Sequence, residues 1–175
     1  MSRDPLADPK QAIRRVYAYV AYRVGDGADA EDVTSSTIER AIRYRKSYDP
    51  SRGEAISWLI GIARTCTDDF FRERESAHAD SAETPALGEM EADTLRRLAV
   101  GEAIGRLPQR ERELIALRYG AALRTRQIAC LLQMNESAVD VALHRSRERL
   151  RAELQRLGYD RTRPSLPVPT TQPSI

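Results

Sequence analysis

The residues from Thr125 to Leu154 have the spacing of a helix-turn-helix, which can place one helix in a DNA groove. Apolar positions on both sides of a break at 133–134 supply the inward faces of its helices: Ile128, Ala129, Leu131, Leu132, Val139, Leu143, Leu150 and Leu154. Asn135 can cap the second helix. The residues after this cap would point at base edges: Glu136, Ser137, Asp140 and Val141. Two carboxylates there are unfavourable unless a cytosine amino group is read.

A second group of residues that suits nucleic acid follows the second predicted helix, ahead of the loop 49–53. Cations and tyrosines cluster there: Arg40, Arg43, Tyr44, Arg45, Lys46 and Tyr48. Positive charge at a helix C-terminus complements the helix dipole, which is one explanation. The combination also suits a single strand, because bases stack on rings while phosphates meet cations. The residues alone leave both interpretations open.

Nothing in the sequence is typical of an enzyme. It contains no glycine-rich phosphate loop, no metal-binding His-Glu helix and no nucleophile beside a plausible base. Cys66 and Cys130 lie among apolar residues of predicted helices, so both are expected to be reduced and buried. His78 is expected to be exposed and solvated. We therefore expect no catalysis, no metal and no cofactor.

The elements that must position these residues are helices, because the apolar periodicity predicts an all-α fold. Over 9–24 the inward residues are Ile13, Val16, Tyr17, Val20 and Val24. A second helix opens at Asp29, with inward residues Val33, Thr37, Ile38, Ala41 and Ile42. A third runs from Glu54 to about Arg74, with inward residues Ile56, Leu59, Ile60, Ile62, Ala63, Cys66 and Phe70. Trp58 is expected in the core, and the charges of the third helix are expected to form mainly i to i+4 ion pairs.

Helical spacing resumes after an acidic, unpatterned segment, at Leu95, Leu98, Ala99, Ala103, Ile104 and Leu107. Pro108 is expected as the first residue of a further helix, with Leu114, Ile115, Leu117 and Tyr119 on its buried side. The sequence thus predicts two small helical domains joined by a flexible linker, the second a helix-turn-helix. We assign the first domain to 1–75, the linker to 76–98, the second domain to 99–157 and a proline-rich tail to 158–175.

The charge of the chain is distributed unevenly between these parts. The formal net charge is +2, yet residues 99–157 contain 11 basic and 7 acidic side chains, whereas residues 1–75 contain 13 of each. This is a modest bias towards phosphate in the second domain. No apolar run is long enough for a membrane span and the N-terminus lacks the apolar core of a secretory signal, so we expect a cytoplasmic protein.

Two stretches together resemble bacterial extracytoplasmic-function sigma factors. The sequence AEDVTSSTIERAIRYRKSYDPSRGEAISWLIGIARTCTDDFFRER, residues 30–74, resembles their region two. The sequence RLPQRERELIALRYGAALRTRQIACLLQMNESAVDVALHRSRERLRAEL, residues 106–154, resembles their region four. Both motifs in this order are far more specific than a lone helix-turn-helix, which would suit many regulators.

The resemblance implies a role for each stretch. Contact with core RNA polymerase falls to Asp32, Ser35, Ser36, Glu39, Arg40, Arg43 and Arg45. Contact with the minus-ten element and its melted non-template strand falls to Tyr44, Lys46, Tyr48, Ser51 and Arg52, and on the third helix to Arg64, Asp68, Arg72 and Arg74. Contact with the double-stranded minus-thirty-five element falls to Arg124, Arg126, Glu136, Ser137, Asp140, Val141, His144, Arg145 and Arg147. A monomer within the holoenzyme is expected, with an anti-sigma factor as a possible further partner.

Several positions depart from the family pattern. Ser35 and Ser36 stand where a glutamine and an acidic residue are common, which weakens the implied polymerase contact. Gln127 replaces a glutamate, and Gln133 replaces a turn glycine at a position that often needs positive φ. Asp140 and Ala142 stand where a lysine and an arginine are usual, a change that lowers nonspecific DNA affinity and flattens its salt dependence.

Three hypotheses follow from the sequence. The leading one is a sigma factor that binds core RNA polymerase and directs it to a restricted set of promoters. The first alternative is a sigma-like regulator that binds polymerase or a partner without reading a promoter independently. The second is a conventional helix-turn-helix repressor or activator, for which the first domain has no explanation. Promoter-specific initiation by purified core polymerase separates the three.

Overall fold

The computed structural model describes residues 4–76 and 92–159, and for 92–96 the backbone alone. Every regular element in these ranges is helical. The first part contains α1 (Pro9–Val24), α2 (Ala28–Tyr44), a 3₁₀ turn (Arg45–Ser47) and α3 (Ala55–Ser76). The second contains α4 (Ala92–Gly105), α5 (Gln109–Ile115), a π-type turn (Ala116–Gly120), α6 (Thr125–Leu132) and α7 (Glu136–Arg156). The predicted all-α fold is confirmed. The acidic segment 77–91 with His78, and the tail from 160, lie outside the described residues.

The starts of the helices differ only slightly from the predicted bounds, and local residues explain several of them. The Asp8 carboxylate accepts a hydrogen bond from the Gln11 backbone N–H at 3.0 Å and caps α1. Helix α2 begins at Ala28, so Asp29 lies in its first turn, where a carboxylate suits the helix dipole. Pro108 is the N-cap of α5 and not its first residue, because its ψ of 146° is extended.

Helix α4 begins at Ala92, inside the range 76–98 that the sequence assigned to a flexible linker. Alanine, leucine and arginine, which are strong helix formers, make up half of its 14 residues. The last seven residues of the predicted linker are therefore helical.

The core is shared between the two halves of the chain. Helix α1 packs on α2 and α3, and it also packs on α5 and the π-type turn. The buried cluster runs without interruption from Val16, Tyr19 and Leu59 to Leu117 and Ile128. Through α4, α5 and the π-type turn, the second half of the chain is therefore packed directly on α1, and α6 also contacts α3.

Some residues predicted to be inward are exposed instead. The side chains of Ile13, Ile42, Leu98 and Tyr119 are between 43% and 54% exposed. Cys66 is buried as expected, but Cys130 is exposed at the end of α6, which contradicts its predicted burial. An apolar residue three or four positions from a core residue can still lie outside the arc that a neighbouring helix covers. No helix within the described residues is long and apolar enough to cross a membrane.

Candidate polymerase and nucleic-acid interface

Helix α2 presents one exposed stripe that contains most of the predicted polymerase contacts. Its inward residues Ala30, Val33, Thr37 and Ala41 are buried. The opposite side, continued into the 3₁₀ turn, is exposed: Asp32, Ser35, Ser36, Glu39, Arg43 and Arg45. Arg40 differs, because its guanidinium donates to the Asp69 carboxylate of α3 at 2.9 Å. This contact lowers the pKa of the Asp69 carboxyl and raises that of Arg40. Arg40 therefore holds α2 against α3.

The segment between α2 and α3 brings together the aromatic and basic residues predicted near melted DNA. Tyr44, Lys46, Ser51 and Arg52 are exposed. Tyr48 is half-buried, its hydroxyl donates to the Gly53 carbonyl at 3.1 Å, and its ring centroid lies 5.7 Å from that of Trp58. Trp58 is half-buried, so it is neither a fully buried core residue nor a ring that is freely available for stacking with a base.

The loop after Tyr48 is ordered by local hydrogen bonds. The Asp49 carboxylate accepts from the Ser51 backbone N–H at 2.9 Å and from the Ser51 hydroxyl at 2.7 Å. These bonds lower the pKa of the Asp49 carboxyl. Ser51 thus stabilises the loop, in addition to being accessible.

The charged residues of α3 form fewer local ion pairs than predicted. Only Arg72 pairs within the helix, with Asp69 at 3.0 Å. Arg74 reaches Asp29 of α2 at 2.7 Å. Arg64 donates to Glu113 of α5 at 2.6 Å and to the Leu131 carbonyl at 3.1 Å, so it faces the second domain.

Asp68 also turns towards the domain contact, where it accepts from Arg23 of α1 at 3.4 Å. The four predicted DNA contacts of α3 are therefore divided. Arg72 and Arg74 are exposed and pair within the first domain, whereas Arg64 and Asp68 form ion pairs at the contact with the second domain.

The helix-turn-helix has the predicted turn and cap. Gln133 adopts the left-handed conformation with φ of 54°, as expected for a residue that replaces a turn glycine. The Asn135 side chain accepts from the Ala138 backbone N–H at 2.7 Å and caps α7. Gln127 accepts from the Arg124 backbone N–H at 2.7 Å, so the amide supplies the acceptor that a glutamate would supply there.

All the residues predicted to face the minus-thirty-five element are exposed: Arg124, Arg126, Glu136, Ser137, Asp140, Val141, His144, Arg145 and Arg147. The opposite side of α7 is buried through Val139, Leu143 and Ser146. Asp140 has a protein partner, because its carboxylate accepts from the Thr125 hydroxyl at 3.0 Å. It therefore helps to hold α6 against α7.

Two residues near these surfaces were missed by the sequence reasoning. Arg118 lines a small cavity of about 180 Å³ together with Thr125, Asp140 and Arg147, so two cations lie near the Asp140 carboxylate. Ile42 was assigned to the core, but it is exposed one helical turn after Glu39. A helical wheel drawn on the buried residues of α2 would have placed Ile42 outside the buried arc. Within the described residues, no group of His, Cys, Asp or Glu side chains could hold a metal ion.

Comparison with known proteins matches both halves of this arrangement. Residues 10–76 match the family described as sigma-70 region 2, and residues 97–150 match sigma-70 region 4. The ECF RNA polymerase sigma factor SigL of Mycobacterium tuberculosis is 32% identical over 156 residues, which cover 83% of this chain and 86% of SigL. The chain belongs to the ECF sigma factor family. It is therefore a promoter-recognising transcription initiation factor.

A further relative and two solved structures are similar to this sigma factor. The ECF sigma factor BldN of Streptomyces coelicolor is 30% identical over 139 residues, and the match spans about half of BldN, 53%. The sigma factor RpoE in complex with the anti-sigma factor NepR, from Bartonella quintana, has a TM-score of 0.69 at 20% identity and covers 85% of this chain and 97% of RpoE. CnrH in complex with the cytosolic domain of CnrY has a TM-score of 0.62 at 20% identity, covering 89% of this chain and 99% of CnrH. These two likenesses concern the fold.

Proposed function

We propose that this sigma factor binds core RNA polymerase and directs it to a restricted set of promoters, with one domain for each promoter element. The observation that carries the proposal is the outward face of α7. Every residue expected to face the minus-thirty-five element is exposed there or at the start of α6, while the other side of α7 is buried. The helix is thus held by its inner face and presents its outer face to a groove.

Polymerase docks on the exposed stripe of α2. The stripe combines acidic, hydroxyl and basic groups with the exposed Ile42, which adds an apolar contact at the end of the helix. Asp32, Glu39 and Arg43 make no ion pair within the described residues, so their charges are available to a partner. Since Arg40 is bound to Asp69, its part in docking is to fix the position of α2.

Melted minus-ten DNA lies along the segment from Tyr44 to Arg52. Tyr44 is 53% exposed and can offer its ring to a displaced base, and Lys46 and Arg52 supply cations for the DNA backbone. Stacking of one base on an aromatic side chain is worth about 1–3 kcal/mol, and it needs no chemical catalyst. The rings of Tyr48 and Trp58, whose centroids are 5.7 Å apart, pack together and hold this segment against α3.

Duplex minus-thirty-five DNA contacts the outer face of α7 and the start of α6. Arg145 and Arg147 make no ion pair within the described residues and are placed to meet phosphates. Arg124 and Arg126 add two more cations at the start of α6. Affinity arises from combining these modest contacts on one polymerase assembly.

The remaining features of the proposal follow from this assignment. The sigma factor acts without catalysis of its own, in the cytoplasm, as one copy in the holoenzyme. An anti-sigma factor is a further partner, which is supported by the two structural neighbours, RpoE with NepR and CnrH with the cytosolic domain of CnrY.

The test is initiation by purified cognate core polymerase on a library of genomic promoter fragments, with start sites read by sequencing. We expect initiation at a small promoter set, and loss of it when Arg145→Ala and Arg147→Ala are combined. Arg151→Ala is the matched control, because Arg151 lies further along the same helix and pairs locally with Glu148 at 2.6 Å. Polymerase binding without initiation would instead support the sigma-like regulator, and duplex binding without polymerase the conventional regulator.

A further inference from the structure

One apolar side chain lies among polar ones on the outer face of α7. Val141 is 51% exposed, and a helix rotation of about 200° separates it from the buried Val139, so the two valines point in nearly opposite directions. Its neighbours one turn before and after are Ser137 and Arg145, and both are exposed. Val141 therefore lies near the centre of the face that would enter a DNA groove.

Helix stability does not account for a valine at this position. A β-branched residue loses side-chain rotamers in a helix, and valine is a weaker helix former than alanine, lysine or arginine. Half of the Val141 surface remains in water, so the residue contributes little burial to the core. The side chain is better suited to an apolar contact with a partner.

The adjacent Asp140 offers a hydrogen-bond acceptor in a fixed position. The Thr125 hydroxyl donates to the Asp140 Oδ1 at 3.0 Å, so the start of α6 holds the carboxylate in place. The other oxygen, Oδ2, makes no hydrogen bond or ion pair within the described residues, although Arg147 lines the same small cavity. The carboxylate is thus arranged to accept a hydrogen bond from a donor outside the chain.

The major groove contains one suitable partner for each of these two side chains. Thymine alone carries a 5-methyl group there, which suits valine. Cytosine presents its amino group as a donor, whereas guanine and thymine present acceptors that would repel a carboxylate. The amino group of adenine lies beside the N7 acceptor, so adenine is a poorer partner than cytosine. The two side chains together favour thymine and cytosine.

We propose that Val141 and Asp140 determine which minus-thirty-five sequence this sigma factor reads. Val141 selects a thymine by contact with its 5-methyl group, and Asp140 selects a cytosine at a neighbouring base pair by accepting from its amino group. Thr125 is a positioning residue, because it orients the carboxylate without touching DNA. The inference rests on the proposed function, since it concerns the element that α7 reads.

A promoter library randomised across the minus-thirty-five region tests both contacts. Holoenzyme assembled from the full chain and cognate core polymerase binds the library, and the retained DNA is sequenced. Wild type should enrich thymine and cytosine at two neighbouring base pairs, with a mismatch at either lowering retention about 5- to 150-fold. Val141→Ser should lose the preference for thymine alone. Asp140→Asn should lose that for cytosine alone, and because its amide can donate, a base with an acceptor should replace cytosine.

Uracil in place of thymine isolates the methyl contact, because the two bases differ only in that group. In competition for holoenzyme, this replacement should weaken binding about fourfold for wild type and leave binding by Val141→Ser unchanged. Val100→Ser is the matched control, since Val100 is also an exposed valine, at 37%, but lies on α4. It should show the same fourfold loss as wild type.

The positioning role of Thr125 has its own readout. Thr125→Val removes the hydroxyl that holds the Asp140 carboxylate, so it should weaken the preference for cytosine and leave that for thymine unchanged. Thr125→Ser keeps a hydroxyl and should restore the preference for cytosine. Equal base preferences in both variants and wild type would show that this hydrogen bond has only a structural role.

The outcomes separate this inference from the proposed function. If wild type, Val141→Ser and Asp140→Asn select the same minus-thirty-five sequence, the element is read through other residues, so the inference is overturned and the proposed function stands. Holoenzyme that selects no minus-thirty-five sequence would refute both. Circular dichroism verifies that each variant stays helical. The comparison of thymine with uracil needs only wild type, so equal binding of the two duplexes overturns the methyl contact even if a variant fails to fold.

Discussion

Asp140 is one of two acidic residues, with Glu136, on the outer face of α7, and Asp140→Lys tests whether that face meets phosphate. The substitution adds two units of positive charge beside Arg147. If it creates one further phosphate contact, the slope of log affinity against log salt steepens by about 0.9. Between about 50 and 200 mM salt, the variant then loses an additional three- to fourfold in affinity relative to wild type. At the low-salt end it binds the duplex more tightly.

The assay is fluorescence anisotropy with a labelled duplex at several salt concentrations. Asp140→Asn removes the charge and keeps an acceptor for the Thr125 hydroxyl, so it should show about half of the change in slope. Thr125→Val removes the 3.0 Å hydrogen bond and keeps the carboxylate, which separates lost packing from gained charge. For Thr125→Val, the slope of log affinity against log salt should equal that of wild type.

Equal affinity and equal slope for wild type and Asp140→Lys would show that residue 140 does not face DNA. A change of affinity with the same slope in both Asp140→Lys and Thr125→Val would instead identify the α6–α7 hydrogen bond as the cause. In that case the charge of Asp140 would have no role in DNA affinity.

Three further predictions follow from the structure. Gln133→Gly should raise the free energy of unfolding in urea by about 1 kcal/mol, because glycine adopts φ of 54° without strain; an unchanged value would contradict the strain. Tyr44→Ala should lower open-complex formation about 5- to 150-fold, whereas Tyr44→Phe should retain it, as measured by permanganate reactivity of unpaired thymines. A thiol reagent should label Cys130 rapidly in the folded chain and Cys66 only after unfolding, and two equally fast thiols would disprove the burial of Cys66.

Much of the local structure was predictable because its causes are local. The first helix is predicted over 9–24 and found at Pro9–Val24, since apolar spacing and Asp8 define it within one stretch of chain. The cap at Asn135 and the left-handed Gln133 were likewise predictable, because each depends on residues within three or four positions. The exposed stripe of α2 follows from helical periodicity in the same way.

Exposure of single apolar residues was less predictable. Ile42 and Tyr119 lie at helical spacing from other apolar residues, yet both are about half exposed. Periodicity shows that a helix has an apolar side, but the width of the buried arc is set by the neighbours that cover it. The predicted burial of Cys130 was wrong for the same reason.

The sequence by itself determined that the chain is helical, that it carries a helix-turn-helix, and that its motifs resemble sigma regions two and four. Only the tertiary structure decided that the two domains share a core, that Arg64 and Arg23 converge on Glu113, and that Gly120 rests against the backbone of Ala18. Helical periodicity and helix caps depend on residues that are close together in the sequence. Contacts between positions 49 to 102 residues apart depend on how whole helices pack, and no local pattern encodes that choice.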